Sequence, residues 1–336
     1  MKTEFRYDIA ILRLLCIVVV VYFHAYGMTY AEHFSNSTAE LYRIYYEYFN
    51  KTYLINIAMP MFIFISGFLF GGQLLSRNYS FIRVLKNKFM RIMLPFFLFT
   101  ILFMFTTNSI SWKPFYEWTY WHLWFLPMIF WCFIIGYLIR PLLYYNFFLS
   151  VIILIISFSI SLFQISGSTF LALGSIVQWF CWFALGMFIY KYETIILQSL
   201  SSIKKGVIII LLITVYFFII LNYPWEYGER TILGQFATIS ITLALWLLFN
   251  WIPWKNFLFT DVLVALSGYS FGIYIFHNWL EMHMLSRTAQ RLLPIEQLAI
   301  DNPWVFPFAF GTLAFLLSLG CSWVFMKTKI GKRLIG

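Results

Sequence analysis

Apolar residues in this chain come in runs of roughly 20, the length an α-helix needs to cross the hydrocarbon of a bilayer. Ten such runs stand out, at 8–27, 53–75, 89–105, 122–139, 147–163, 170–190, 207–221, 233–250, 262–283 and 304–326. They predict an all-α integral membrane bundle of about ten transmembrane helices in a single domain, 1–336, with no soluble domain. The runs at 147–163 and 207–221 are short. The first follows Lys2 and Arg6, as the apolar core of a signal peptide would. It is too long for one, ends in His24 and has no small-x-small cleavage site, so it reads as a retained span.

Composition agrees. Of 336 residues, 62% are hydrophobic and only 11% charged, against about 25% charged in a soluble domain. Mean hydropathy is +0.81. A soluble fold of this size could not bury so much apolar surface, so lipid is the expected solvent. The net charge of +10 would suggest nucleic acid in a soluble chain. Here the basic residues lie between apolar runs and set topology instead. Sixteen of the 23 Lys and Arg fall on one side of the predicted bundle and six on the other, with Arg13 inside a span. That bias places both termini in the cytoplasm. Cys16, Cys132, Cys181 and Cys321 all lie within apolar runs and form no C-x-x-C. They read as packing residues, with no metal site or disulfide framework.

The segments facing outward are rich in aromatics: Tyr42, Tyr45, Tyr46 and Tyr48 in one, Trp112, Tyr116, Trp118, Tyr120 and Trp121 in another. They suit an interfacial belt or a surface on which sugar rings stack. Asn36-Ser-Thr and Asn50-Lys-Thr match glycosylation acceptors, which would matter only in a eukaryote.

Ionisable groups inside spans are costly in lipid and are functional candidates. Arg13 and His24 are eleven residues apart on the first span. At about 100° per residue they share a face, with an axial offset of about 16 Å. His277 and Glu281 are one turn apart on the ninth and also share a face. A carboxylate there can orient an imidazole and favour its charged form. His24 and His277 each lie about 22 Å from the cytoplasmic end of their spans. An imidazole can take a proton from a hydroxyl. A guanidinium can hold phosphate bidentately, and the run Arg83, Lys86, Lys88, Arg91 fits an anionic headgroup such as that of CoA.

Four motifs then narrow the reading. They are Arg13-Leu-Leu-Cys-Ile-Val-Val-Val-Val-Tyr-Phe-His24, an apolar run ending in Ser66-Gly67-Phe68-Leu69, Tyr120-Trp-His122-Leu-Trp124-Phe125, and Gly272-Ile-Tyr274-Ile-Phe-His277. In this order they resemble the signatures of the acyltransferase-3 membrane family. The resemblance implies a ten-span bacterial inner-membrane protein that moves an acyl group, usually acetyl with succinyl as an alternative. The donor would be cytoplasmic acyl-CoA, a cosubstrate and not a resident cofactor; the acceptor, a cell-surface or lipid-linked glycan. By resemblance His24 is the catalytic candidate; the shared face of His277 and Glu281 makes that pair its expected assistant. Arg13, Arg83, Lys88 and Arg91 would hold the donor, and Ser66, His122, Trp124 and Tyr274 the substrate. Lys88 stands where the family has Arg, which leaves a point charge in place of a bidentate fork. The family's acidic residue three before the Arg is absent, since Ala10 stands there; Asp8 lies on a different face. Other expected partners are membrane lipid and no nucleic acid, with the oligomeric state open. The competing readings are a glycan exporter or flippase that binds without chemistry, and a structural subunit of a synthase complex.

Overall fold

The computed structural model describes residues 5–26, 49–76, 79–106, 110–116, 121–163, 170–223, 231–284 and 293–336. Every regular element among them is helical. In chain order these are α1 (Tyr7–Ala25), α2 (Ile55–Ser76), α3 (Phe81–Lys88), α4 (Leu94–Thr106), α5 (Lys113–Tyr116), α6 (Phe125–Leu143), α7 (Phe147–Ser161), α8 (Ser175–Gln198), α9 (Ser202–Asn222), α10 (Ile232–Trp251), α11 (Thr260–Ser267), α12 (Ser270–Met284), α13 (Ile295–Asp301), α14 (Val305–Met326) and α15 (Lys329–Ile335). Among the described residues, eight helical stretches are long and apolar enough to cross a membrane. Large apolar side chains such as Leu98, Leu138, Leu211 and Leu221 are exposed along them, as befits a helical bundle solvated by lipid.

Several expected spans change shape. The third begins at Phe81, so Arg83, Lys86 and Lys88 ride on the helix itself. A π-turn, Phe89–Met93, joins α3 to α4. Pro95 explains it: proline has no N–H and its ring clashes with the carbonyl four residues back, so the turn before it widens. The seventh lengthens to Ser202–Asn222. The fifth is α7, 15 residues long and about 22 Å, short of the bilayer's hydrocarbon thickness.

The ninth expected span, 262–283, is not one helix. It breaks between α11 and α12 at Gly268-Tyr269. The Gly268 N–H still reaches Val264 and Ala265 carbonyls, and the Tyr269 N–H bonds to Leu266 O at 3.0 Å. Ser267 Oγ donates to Val264 O and Ser270 Oγ to Ser267 O. Glycine is a weak helix former, and serine hydroxyls compete for backbone carbonyls. A hydropathy window misses this because neither residue is polar enough to interrupt an apolar run.

The chain forms two compact units: one of 1–59, 213–228 and 240–336, the other of 60–212 and 229–239. In the first, α1 packs on α11, α12 and α14, and α14 packs on α12 and α15. Gly311 lets α14 approach Tyr22 and Ala25 of α1. Tyr22 Oη and Thr312 Oγ1 are 2.7 Å apart.

In the second unit, α8 packs on α6 and α7. A Cβ on Gly67 of α2 would overlap the Phe183 carbonyl oxygen of α8, and one on Gly186 of α8 would overlap the Phe64 carbonyl oxygen of α2. Gly71, four residues on, faces Met187 of α8. Small residues at this spacing let two backbones touch, the usual basis of close helix contacts in lipid. The amide of Gln235 on α10 donates to Phe158 O and Ser161 Oγ of α7, a polar tie between helices. At the start of α7, Asn146 Oδ1 accepts from Leu149 N at 2.8 Å. Asn146→Ala leaves that N–H without its cap and is expected to cost about 1 kcal/mol, read as a lower thermal midpoint of the purified protein.

Candidate active site

Arg13 and His24 share a face of α1, as their spacing requires, and both meet the broken helix. Arg13 Nη2 donates to Ser267 O at 2.8 Å and lies 3.4 Å from Ser267 Oγ. The C-terminal end of a helix carries partial negative charge, so a guanidinium is a fitting cap on the last carbonyl of α11. Arg13 is thus tied to structure as well as available for a ligand; its Nε is buried without a partner among the described residues. Arg13→Met keeps the stem and removes the cap. It is expected to destabilise the protein by roughly 1.5–3 kcal/mol, the range for a hydrogen bond to a charged group. Thermal unfolding checks this, and Arg13→Lys should recover part of the loss.

About three turns further along α1, the His24 ring faces that of His277 on α12. The centroids are 5.1 Å apart and the planes inclined at 56°. His277 is fully buried. Its Nδ1 lies 2.7 Å from Tyr274 O and 3.1 Å from Ile273 O. Carbonyls only accept, so Nδ1 carries a hydrogen, and Nε2 of the neutral ring holds the lone pair. The backbone of α12 therefore orients this imidazole, the part the sequence suggested for Glu281. Glu281, one turn on, is fully buried, and neither carboxylate oxygen has a partner among the described residues. Tyr274 is buried with its ring 5.9 Å from that of His277. His283 Nδ1 lies 2.8 Å from Trp279 O. Asp8 pairs with Arg6 at 2.6 Å and with Asn250, away from Arg13.

The sequence pattern gave no sign of two participants. Ser267 becomes visible only once the helix break is known. Asn50, in a π-turn ahead of α2, donates from Nδ2 to Phe23 O at 2.8 Å. It is 4% exposed, which leaves no room for a glycan on Asn50-Lys-Thr.

The remaining candidates lie in the second unit. Arg83 and Arg91 are exposed on the α3 to π-turn segment, with the Arg83 guanidinium 5.0 Å from the Tyr79 ring. Lys88 turns inward: its Nζ lies 3.5 Å from the Phe133 centroid and 5.2 Å from that of Phe70. An ammonium over aromatic faces gains cation–π attraction, an arrangement unlike the exposed phosphate fork of an arginine. Ser66 Oγ donates to Phe62 O of its own helix at 2.9 Å. Its neighbour Gly67 makes the α2–α8 contact, so packing accounts for this part of the motif. His122 is buried, with its ring 6.4 Å from that of Phe103. Trp124 stands 5.9 Å from Trp179. Trp112 and Tyr116 are exposed; Tyr42, Tyr45, Tyr46, Tyr48, Trp118, Tyr120 and Asn36 lie outside the described residues.

The profile of an acyltransferase domain family matches residues 6–327, nearly the whole chain. The chain belongs to the acyltransferase-3 family. Acyl transfer in general is therefore its reaction class, carried on a multi-pass helical membrane bundle. No curated protein and no solved structure matches the acyltransferase. Its matched region holds every candidate named above, from Arg13 to Glu281.

Proposed function

We propose that this acyltransferase moves an acyl group, acetyl first and succinyl as the alternative, from cytoplasmic acyl-CoA to a hydroxyl of a cell-surface or lipid-linked glycan. It would do so in a bacterial inner membrane with both termini in the cytoplasm. The observation that carries the reading is the pair of facing imidazoles, His24 and His277, on the wall that also holds Arg13.

His24 is the general base. As the sugar hydroxyl oxygen attacks the thioester carbonyl, the imidazole takes the hydroxyl proton. The C–O bond forms, the C–S bond breaks, and the proton passes to the leaving thiolate, which departs as CoA thiol. His277, its tautomer fixed by the α12 carbonyls, packs beside His24 and holds its orientation. Arg13 supplies positive charge for the donor; Arg83, Lys88 and Arg91 remain candidates for donor binding on the strength of the basic run. Ser66, His122, Trp124 and Tyr274 remain candidates for acceptor binding on the strength of the family motifs.

The direct test is acyl transfer by purified protein from radiolabelled acetyl-CoA, paired with glycan mass spectrometry of a deletion strain. Loss of one acyl mass increment is expected. An unchanged glycan, with no turnover of acetyl-CoA or succinyl-CoA in vitro, would leave an exporter as the better account.

A further inference from the structure

Helix α10 carries a polar stripe through an otherwise apolar sequence. Gln235, Thr238, Thr242, Trp246 and Asn250 follow one another at steps of three or four residues, which places them along one face. At the ends of the stripe the polar groups are engaged, Gln235 with α7 and Asn250 with Asp8. Between them, two groups stand out. Thr242 is fully buried and Trp246 is 3% exposed, yet neither Thr242 Oγ1 nor Trp246 Nε1 has a partner among the described residues.

Burying a hydrogen-bonding group without a partner is unfavourable, and more so inside a bilayer, where water cannot compensate. Valine would fill almost the volume of threonine without that penalty, and phenylalanine would keep an aromatic ring without the N–H. Two such groups, one turn apart on one face, point to a ligand.

The chemistry of the pair limits what that ligand is. An indole N–H only donates, so it needs an acceptor such as a carbonyl; a hydroxyl does both. No Asp, Glu, Lys, Arg or His occurs between Ile232 and Trp251, so the helix supplies no charge to balance a phosphate. The two groups are separated by about 6 Å along the helix axis. A neutral chain with recurring amides, lying along the helix, satisfies both.

We propose that Thr242 and Trp246 form a subsite for the amide-bearing pantetheine arm of the thioester donor. The indole N–H donates to an amide carbonyl, and the threonine hydroxyl pairs with the next amide. This rests on the acyl-CoA reading above and assigns residues outside the family motifs to it.

The test uses the full chain in lipid nanodiscs, comparing the wild type with Thr242→Val, Trp246→Phe and the double variant. Probes are CoA, phosphopantetheine, and adenosine 3′,5′-bisphosphate for the nucleotide end alone. For the double variant we expect phosphopantetheine to bind at least tenfold more weakly, with unchanged affinity for the bisphosphate. The unliganded thermal midpoint of Thr242→Val should stay level or rise, because an unpaired hydroxyl is gone; the smaller ring of Trp246→Phe offsets the gain from removing the indole N–H. Phosphopantetheine binding equal to wild type would overturn the subsite. So would a fall in the unliganded midpoint with equal loss of both probes, since the groups would then be structural. A wild-type protein that binds neither CoA nor phosphopantetheine fails the acyl-CoA reading itself, an outcome distinct from failure of the subsite alone.

Discussion

Replacing His24 by alanine is expected to lower the acyl-transfer rate by roughly 10²–10⁴-fold, the usual contribution of a positioned general base. The folded protein should survive, because His24 is only half-buried and its neighbour Phe23 keeps its bond to Asn50. The expected signature is a fall in kcat with little change in KM for acetyl-CoA, since the imidazole acts on the acceptor hydroxyl and not on donor binding. His277→Ala should also slow transfer, through loss of the ring packed 5.1 Å from His24. The double variant should be little worse than His24→Ala, as expected for groups that work as a unit. Wild-type turnover by His24→Ala at equal protein levels would remove this residue from the chemistry and return the pair to a packing role.

The second large effect concerns stability. Gly67→Ala places a methyl group against the Phe183 carbonyl, a backbone atom that cannot swing aside. Overpacking of this kind costs about 1–3 kcal/mol. The upper end is expected here because α2 and α8 touch reciprocally at Gly67 and Gly186 and must separate along their length. Gly186→Ala should behave alike, since its Cβ would meet the Phe64 carbonyl and the Phe68 amide nitrogen. Gly320 on α14 is the control. Nothing lies within 4 Å of its Cβ position, so Gly320→Ala should be neutral or stabilising by up to about 1 kcal/mol through helix propensity. Thermal midpoints and the yield of monodisperse protein would separate these cases. Equal behaviour of the 67 and 320 variants would remove the close-contact explanation of the Ser66-Gly67 motif. Ser66→Ala, by contrast, forfeits only a hydroxyl bonded to its own helix and should be mild.

Much of the architecture was legible because lipid demands it. A run of apolar residues with no polar interruption has few alternatives to a helix, and eleven residues is three turns of a helix to within about 20°. The shared face of Arg13 and His24 followed from that arithmetic alone. Their partners did not. The sequence could not say that the ninth run breaks at Gly268, because Ser-Gly-Tyr-Ser barely alters hydropathy. Without the break, the Ser267 carbonyl that receives Arg13 would have been spent within a helix. Nor could it say that His277 is oriented by its own backbone while Glu281, one turn away, is not hydrogen-bonded to any described residue. Spacing fixes which face a side chain occupies, but the choice among acceptors within reach is made by local distances. Lys88 shows the same limit: its place in a basic run suggested an exposed charge, and two aromatic rings turned it inward.

What the sequence by itself determined was the helical membrane class, most of the span boundaries, and the face on which the imidazole and guanidinium lie, since periodicity and hydropathy are local properties of a chain. Tertiary structure alone decided that two distant histidines meet, that Arg13 caps a broken helix, and that Gly67 is needed for contact between backbones. These depend on where one helix lies against another, and that follows from packing summed over the fold.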